Sequence, residues 1–137
     1  MSITTKRRTL AHLLVCLGCC CGRTDRGKPE VPADWLKAKW KEKKLHSSIH
    51  LSISGCLGPC DLANVAGLVT PLQSLWLGGL TERKQYELLV DWASDSATLG
   101  MLLPLPEELQ PHIFERFLQA ECDECSKSST LVSLAAS

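Results

Sequence analysis

Apolar and polar residues alternate most cleanly over 47–54, where Ile49, Leu51 and Ile53 are separated by Ser48, His50, Ser52 and Ser54. Strand side chains point to opposite faces in turn, so this stretch predicts a β-strand with one apolar and one small polar face. Residues 10–15 form a shorter, mainly apolar run, fitting a buried parallel strand interrupted by His12. Between the two, residues 22–32 carry Gly27, Pro29 and Pro32 among charged groups and read as a loop. A helix follows it. Trp35, Leu36, Ala38, Trp40 and Leu45 supply its apolar side, while Lys37, Lys41 and Lys44 face solvent. Asp34 is the expected N-cap, and Lys43 and Lys44 suit the negative end of the helix dipole. Residues 65–70 and 72–77 read as two more strands, turning at Pro71 and closed by Gly78-Gly79, which implies an antiparallel pair. Thr81 is then expected to cap a helix with Tyr86, Leu89, Val90, Ala93 and Ala97 at helical spacing, reinforced by Leu88 and Trp92.

The resulting order is β-α-β-β-β-α: an α/β domain over 9–99 with a four-stranded mixed sheet, the first two strands parallel and the last two antiparallel. That is the order of a thioredoxin-like sheet. Residues 100–121 form an extension, extended over 101–106 and helical over 111–120, where Ile113, Phe114, Phe117 and Leu118 would pack onto the domain. Residues 122–137 are small and polar apart from Leu131, Val132 and Leu134 and are expected to be disordered.

Composition sharpens this only in places. The 137 residues, 45% hydrophobic, suffice for one core and fit one domain. Net charge is zero, yet residues 1–46 hold 11 Lys/Arg against 4 Asp/Glu and residues 47–137 hold 4 against 11, so the two parts carry +7 and −7. Such asymmetry steers partners unless folding brings the two signs together. Lys6-Arg7-Arg8 and the following apolar residues imitate a signal peptide, but cleavage near Gly18 would remove the first strand. No stretch approaches the roughly 18 apolar residues of a membrane span, and a cytoplasmic protein is expected.

The chemistry lies in the 8 cysteines. Cys16-Leu-Gly-Cys19-Cys20-Cys21 ends the first strand, and Cys56-Leu-Gly-Pro-Cys60 ends the second. A right-handed βαβ crossover puts both following loops on one edge of the sheet, so four thiols would converge. Three chemistries then compete. A thioredoxin-type dithiol has its first Cys at a helix N-terminus, but residues 22–32 intervene here, and Cys56 and Cys60 would be left without a role. Structural zinc accepts four thiolates at such spacings. An iron-sulfur cluster needs four thiolates with N–H donors and close backbone approach, which Gly18, Gly22, Gly55 and Gly58 would permit, and Arg23 would add positive charge.

Val15-Cys16-Leu-Gly-Cys-Cys-Cys21, followed about 35 residues later by Cys56-Leu-Gly-Pro-Cys60, resembles the thioredoxin-like 2Fe-2S ferredoxins and the small cluster subunit of NADH dehydrogenases. Those proteins use a V-C-x-G-x-x-C loop and a C-L-G-x-C loop, and the resemblance spans about residues 10–97. It implies one 2Fe-2S cluster on Cys16, Cys21, Cys56 and Cys60, with Cys20 the runner-up to Cys21, and one-electron transfer to a larger redox enzyme. The Cys-Cys-Cys-Gly-Arg run further resembles ferredoxins linked to cobalamin biosynthesis. The alternative from another class is a zinc-stabilised, redox-inactive interaction module.

The remaining candidates are weaker. His12, His46, His50 and His112 are scattered in sequence with no carboxylate or nucleophile at a telling spacing, so catalysis on a small substrate is not expected. His50 is read as a surface group or one behind the ligands. Trp35, Trp40, Trp76 and Trp92 are expected in the core, with Trp76 a conceivable partner contact near the cluster. Cys122 and Cys125 read as two free thiols. A redox protein partner is expected; nucleic acid is not, because the overall charge is neutral, and membrane is not, because no stretch is long and apolar enough to span one. Homodimerisation stays open.

Overall fold

Strand β1 (Ala11–Cys16) pairs in parallel with β2 (Ile49–Ser54), Leu13 opposite Leu51 and Val15 opposite Ile53. A parallel pair needs a crossover, and in the computed structural model, which describes residues 3–18 and 20–118, α1 (Ala33–Glu42) supplies it. Strand β3 (Ala66–Val69) lies antiparallel on the other side of β1, and β4 (Ser74–Leu77) lies antiparallel to β3. Helix α2 (Arg83–Leu99) follows and ends at Gly100 in the left-handed conformation. The expected β-α-β-β-β-α order is therefore present.

Two expectations are corrected. The sheet has five strands, in the order β2-β1-β3-β4-β5, because β5 (Ile113–Phe114) pairs antiparallel with the outer edge of β4. No α-helix forms over the described part of 111–120. Residues Glu107–His112 make a 3-10 turn with Pro111 inside it, and the chain then enters β5. An open sheet edge offers backbone partners that an isolated short helix lacks. His112 secures the docking. Its backbone oxygen accepts from Gly78 N at 2.9 Å, its Nδ1 donates to Gly78 O at 2.8 Å, and its Nε2 meets Gln85 Nε2 at 2.9 Å. The tail over 122–137 lies outside the described residues.

The helix starts also differ from expectation. Pro32 occupies the N-cap position of α1, with Asp34 in the first turn. At α2 the cap is Glu82, not Thr81, in a reciprocal box with Gln85, whose Oε1 accepts from the backbone of both Thr81 and Glu82.

The core gathers Leu13, Val15, Ile49, Leu51 and Leu68 from the strands with Leu36 and Trp40 of α1 and Tyr86, Leu89 and Ala93 of α2. Trp40 Nε1 donates to Ile49 O at 2.7 Å and pins α1 to the sheet. Trp92 Nε1 donates to Leu103 O at 2.7 Å and ties the extension to α2. Trp40, Trp76 and Trp92 are buried, whereas Trp35 is half-buried under the Arg83 guanidinium. On the opposite face Trp76 lies across Gly67, where an added Cβ would sit 2.6 Å from its ring.

Candidate metal centre

Both Cys loops leave the same edge of the sheet. Cys16 is the last residue of β1, its register partner Ser54 is the last of β2, and Leu17 N donates to Ser54 O at 2.9 Å before the two loops diverge. The first loop then doubles back. Gly18, at φ +106°, donates to Cys21 O at 2.9 Å, which returns Cys21 to the sheet. Gly22, at φ +72°, is packed so closely that a Cβ there would meet Leu17 Cδ1 at 2.8 Å. The turn thus requires glycine for both its dihedral and its space.

Cys16 and Cys21 are 2% and 1% exposed, deep enough that neither is a surface thiol. The two thiols lie close enough to perturb each other's ionisation, and Val65 N donates to Cys21 Sγ at 3.4 Å. Burial pushes the Cys21 thiol up to about 12, with the adjacent Cys16 thiol, then the charge of Cys56, acting the same way against the Val65 donor. An exposed, low-pKa attacking thiol of the thioredoxin kind is the opposite arrangement. The buried Cys21 thiol stays protonated near neutral pH and would be deprotonated on coordinating a metal.

The second loop holds an exposed Cys56 and a half-buried Cys60, with their sulfurs 3.0 Å apart. Cys20 is half-buried, and Cys19 lies outside the described residues, as do Cys122 and Cys125. The fold therefore brings the predicted Cys16, Cys21, Cys56 and Cys60 to one end of the β1–β2 pair as two separate pairs. Among the described residues, no three His, Cys, Asp or Glu side chains are grouped about a single metal position.

Three residues that sequence reasoning passed over build the surroundings. Asn64, fully buried, accepts from Gly22 N at 2.9 Å and donates to Pro29 O at 2.9 Å and Glu30 O at 3.2 Å. It braces the loop after the first Cys group from the chain just beyond the second. Tyr86, assigned only to the core, has a buried hydroxyl with no hydrogen-bond partner among the described residues. Burial raises its pKa well above the ordinary value. Asn64 acts against this without reaching hydrogen-bonding geometry, and Cys21 and Cys16 add to it. The hydroxyl therefore stays protonated, within electrostatic reach of the first thiol pair. Arg116, from the extension, donates to Leu57 O inside the second loop and stacks over Trp76 at 4.2 Å. Gly58, at φ +121°, makes room for it, since a Cβ would lie 2.8 Å from its Nη2.

Two expected contributions differ. Gly55 does not adopt a positive φ. Arg23 forks onto Asp25 at 2.8 and 2.7 Å, which neutralises much of its charge and holds the Asp25 carboxyl well below the usual range. Arg116, in turn, is a cation bonded into the second Cys loop.

These features fit an iron-sulfur group. A backbone N–H already points at Cys21 sulfur, an orphaned hydroxyl lies beside the buried pair, and positive-φ glycines keep both loops close.

No protein-family model matches this sequence, and no curated protein matches it. Among solved structures, the chain is similar to the thioredoxin-like [2Fe-2S] ferredoxin from Aquifex aeolicus, with a TM-score of 0.47 and 15% identity over 80% of this chain and 100% of that one. So loose a likeness assigns nothing to the cysteines.

Proposed function

We propose that this chain is a 2Fe-2S ferredoxin that passes single electrons to a larger redox enzyme. The observation that carries the reading is the convergence of two thiol pairs, Cys16 with Cys21 and Cys56 with Cys60, on one sheet edge. Each pair would hold one iron, and the bound cluster would supply a one-electron couple. The protein's own part is to bury one pair, donate the Val65 N–H to Cys21 sulfur, keep the unpartnered Tyr86 hydroxyl within electrostatic reach of that pair, and hold the exposed loop with Arg116. The exposed Cys56 side is where a partner enzyme would approach. A partner in cobalamin biosynthesis rests on the resemblance of the 19–23 run alone.

The test is anaerobic purification followed by visible absorption, iron, sulfide and zinc analysis, and electron paramagnetic resonance after dithionite. A red-brown protein with about two irons per chain and a one-electron signal is expected. A colourless protein with about one zinc would overturn the proposal and make the chain a zinc-stabilised interaction module.

A further inference from the structure

Three of the four histidines, scattered in sequence, meet at the end of the sheet remote from the cysteines. His12 and His50 are register partners on β1 and β2, their rings 4.9 Å apart and edge to face. His46, from the turn before β2, lies 5.3 Å from His50. Lys6, Arg7 and Arg8 run past them, and together with Thr9 and Ser47 these residues line a cavity of about 630 Å³.

The lining contains no carboxylate. Lys6, Arg7 and Arg8 are exposed, and no described residue forms a salt bridge with them. The hydroxyls of Thr9, Ser47 and Ser52 are the neutral polar groups nearby; Ser52 Oγ holds His12 Nε2 at 2.7 Å. The three cationic side chains facing one cavity repel one another unless an anion joins them, and each imidazole that takes up a proton adds to that repulsion. The imidazoles are not disposed about one point as metal ligands are. The cavity also exceeds what a single small inorganic anion fills, being in the size range of small-molecule sites.

We infer that this pocket binds a phosphorylated small molecule carrying more than one phosphate-type group. The three cationic side chains supply fixed positive charge, and the histidines supply charge that depends on pH. Burial, then the neighbouring His50, holds His12 and His46 below their ordinary pKa, so the empty pocket takes up protons reluctantly. A bound polyanion reverses that preference. Affinity therefore rises as pH falls, on the order of tenfold per unit for each proton taken up with the ligand. The inference is independent of the cysteine site.

The experiment titrates the full-length protein with pyrophosphate by calorimetry at pH 6 and pH 8, and follows the histidine ring protons by NMR. Pyrophosphate itself loses charge on acidification, so any gain in affinity at pH 6 comes from the protein. The expected result is saturable 1:1 binding, about tenfold tighter at pH 6, with the signals of His12, His46 and His50 moving. His112, tied to Gly78 and Gln85, should stay still. His50→Gln and Arg8→Ala, both exposed positions with no role in the core, should each weaken binding about fivefold or more. Unsaturable binding, affinity equal at the two pH values, or binding unchanged in both variants would overturn the inference. So would an oligonucleotide that binds through Lys6, Arg7 and Arg8 where pyrophosphate does not.

Discussion

Replacing Asn64 with Ala isolates the brace that holds the first Cys loop. The wild-type amide makes three hydrogen bonds, to Gly22 N, Pro29 O and Glu30 O, from a side chain with no exposed surface. Neutral hydrogen bonds contribute about 0.5–1.5 kcal/mol each, and the buried groups left unpaired add to the cost. Asn64→Ala should therefore destabilise the metal-free, reduced protein by about 3 kcal/mol. Urea unfolding followed by tryptophan fluorescence reads this directly: with a slope near 1.5 kcal/mol/M, the midpoint falls by about 2 M. The slope itself should hold, because the same surface is exposed. Hydrogen exchange at the Gly22 amide should accelerate more than at Leu68, whose strand pairing is untouched. Asn64→Asp keeps the acceptor for Gly22 N but loses both donated bonds and buries a charge, so it should be no better than Ala. A midpoint shift below about 0.3 M for the Ala variant would show that the loop does not depend on this amide.

Four further outcomes are expected. Cys56→Ser or Cys60→Ser should lose most bound iron, whereas Cys19→Ser should keep it; iron analysis decides, and full retention in the first two sinks the ligand set. Arg116→Met removes a cation bonded into the second Cys loop, which should lower the reduction potential and cost about 1–2 kcal/mol of stability, from a charged hydrogen bond and a cation–π contact at a half-exposed site. Potentiometry on the purified variant checks this, and an unchanged potential refutes it. Tyr86→Phe should raise the stability of the metal-free protein, by removing an unpaired buried hydroxyl, while lowering the potential of the loaded one; equal signs in the two forms would contradict a donor role. Stability should fall with pH below about 6.5, since the unfolded chain takes up protons at the ordinary histidine value while His12 and His46 resist, and should level off above it. His50→Gln removes the lesser cause of that depression and leaves burial, so it should reduce the slope without abolishing it.

What could be read in advance followed local periodicity. The alternation at β2 and the helical spacing of α2 depend on neighbours a few residues apart, so their kinds survive folding with only their ends trimmed. Strands β3 and β4, for instance, are shorter than 65–70 and 72–77 because Thr70 and Gln73 bond across the turn. β5 escaped because two residues carry no period, and its stability comes wholly from the edge of β4. Asn64 and Arg116 escaped for the same kind of reason: their partners stand 42 and 59 residues away. The cysteine convergence was legible because a parallel crossover fixes which loops meet. The histidine cluster needed the exact register of β1 on β2, which alternation alone leaves free by two residues.

That register also decides how the two proposed sites relate. Cys16 closes β1 and His12 stands four residues before it, a span of about 13 Å along the strand. The cysteines lie beyond one end of the β1–β2 pair and the cationic cavity beyond the other. The positive excess of the first part of the chain is therefore divided: part of it follows the first Cys group at Arg23, Arg26 and Lys28, and part collects at Lys6, Arg7 and Arg8. The described salt bridges, Arg23 with Asp25 and Lys39 with Glu42, are local and do not join the basic part to the acidic one. An anion in the cavity would sit farther from the cysteines than the Debye length of about 8 Å at physiological salt. Its charge would thus be largely screened from an electron held there, leaving the Cys edge and the cavity open to separate partners.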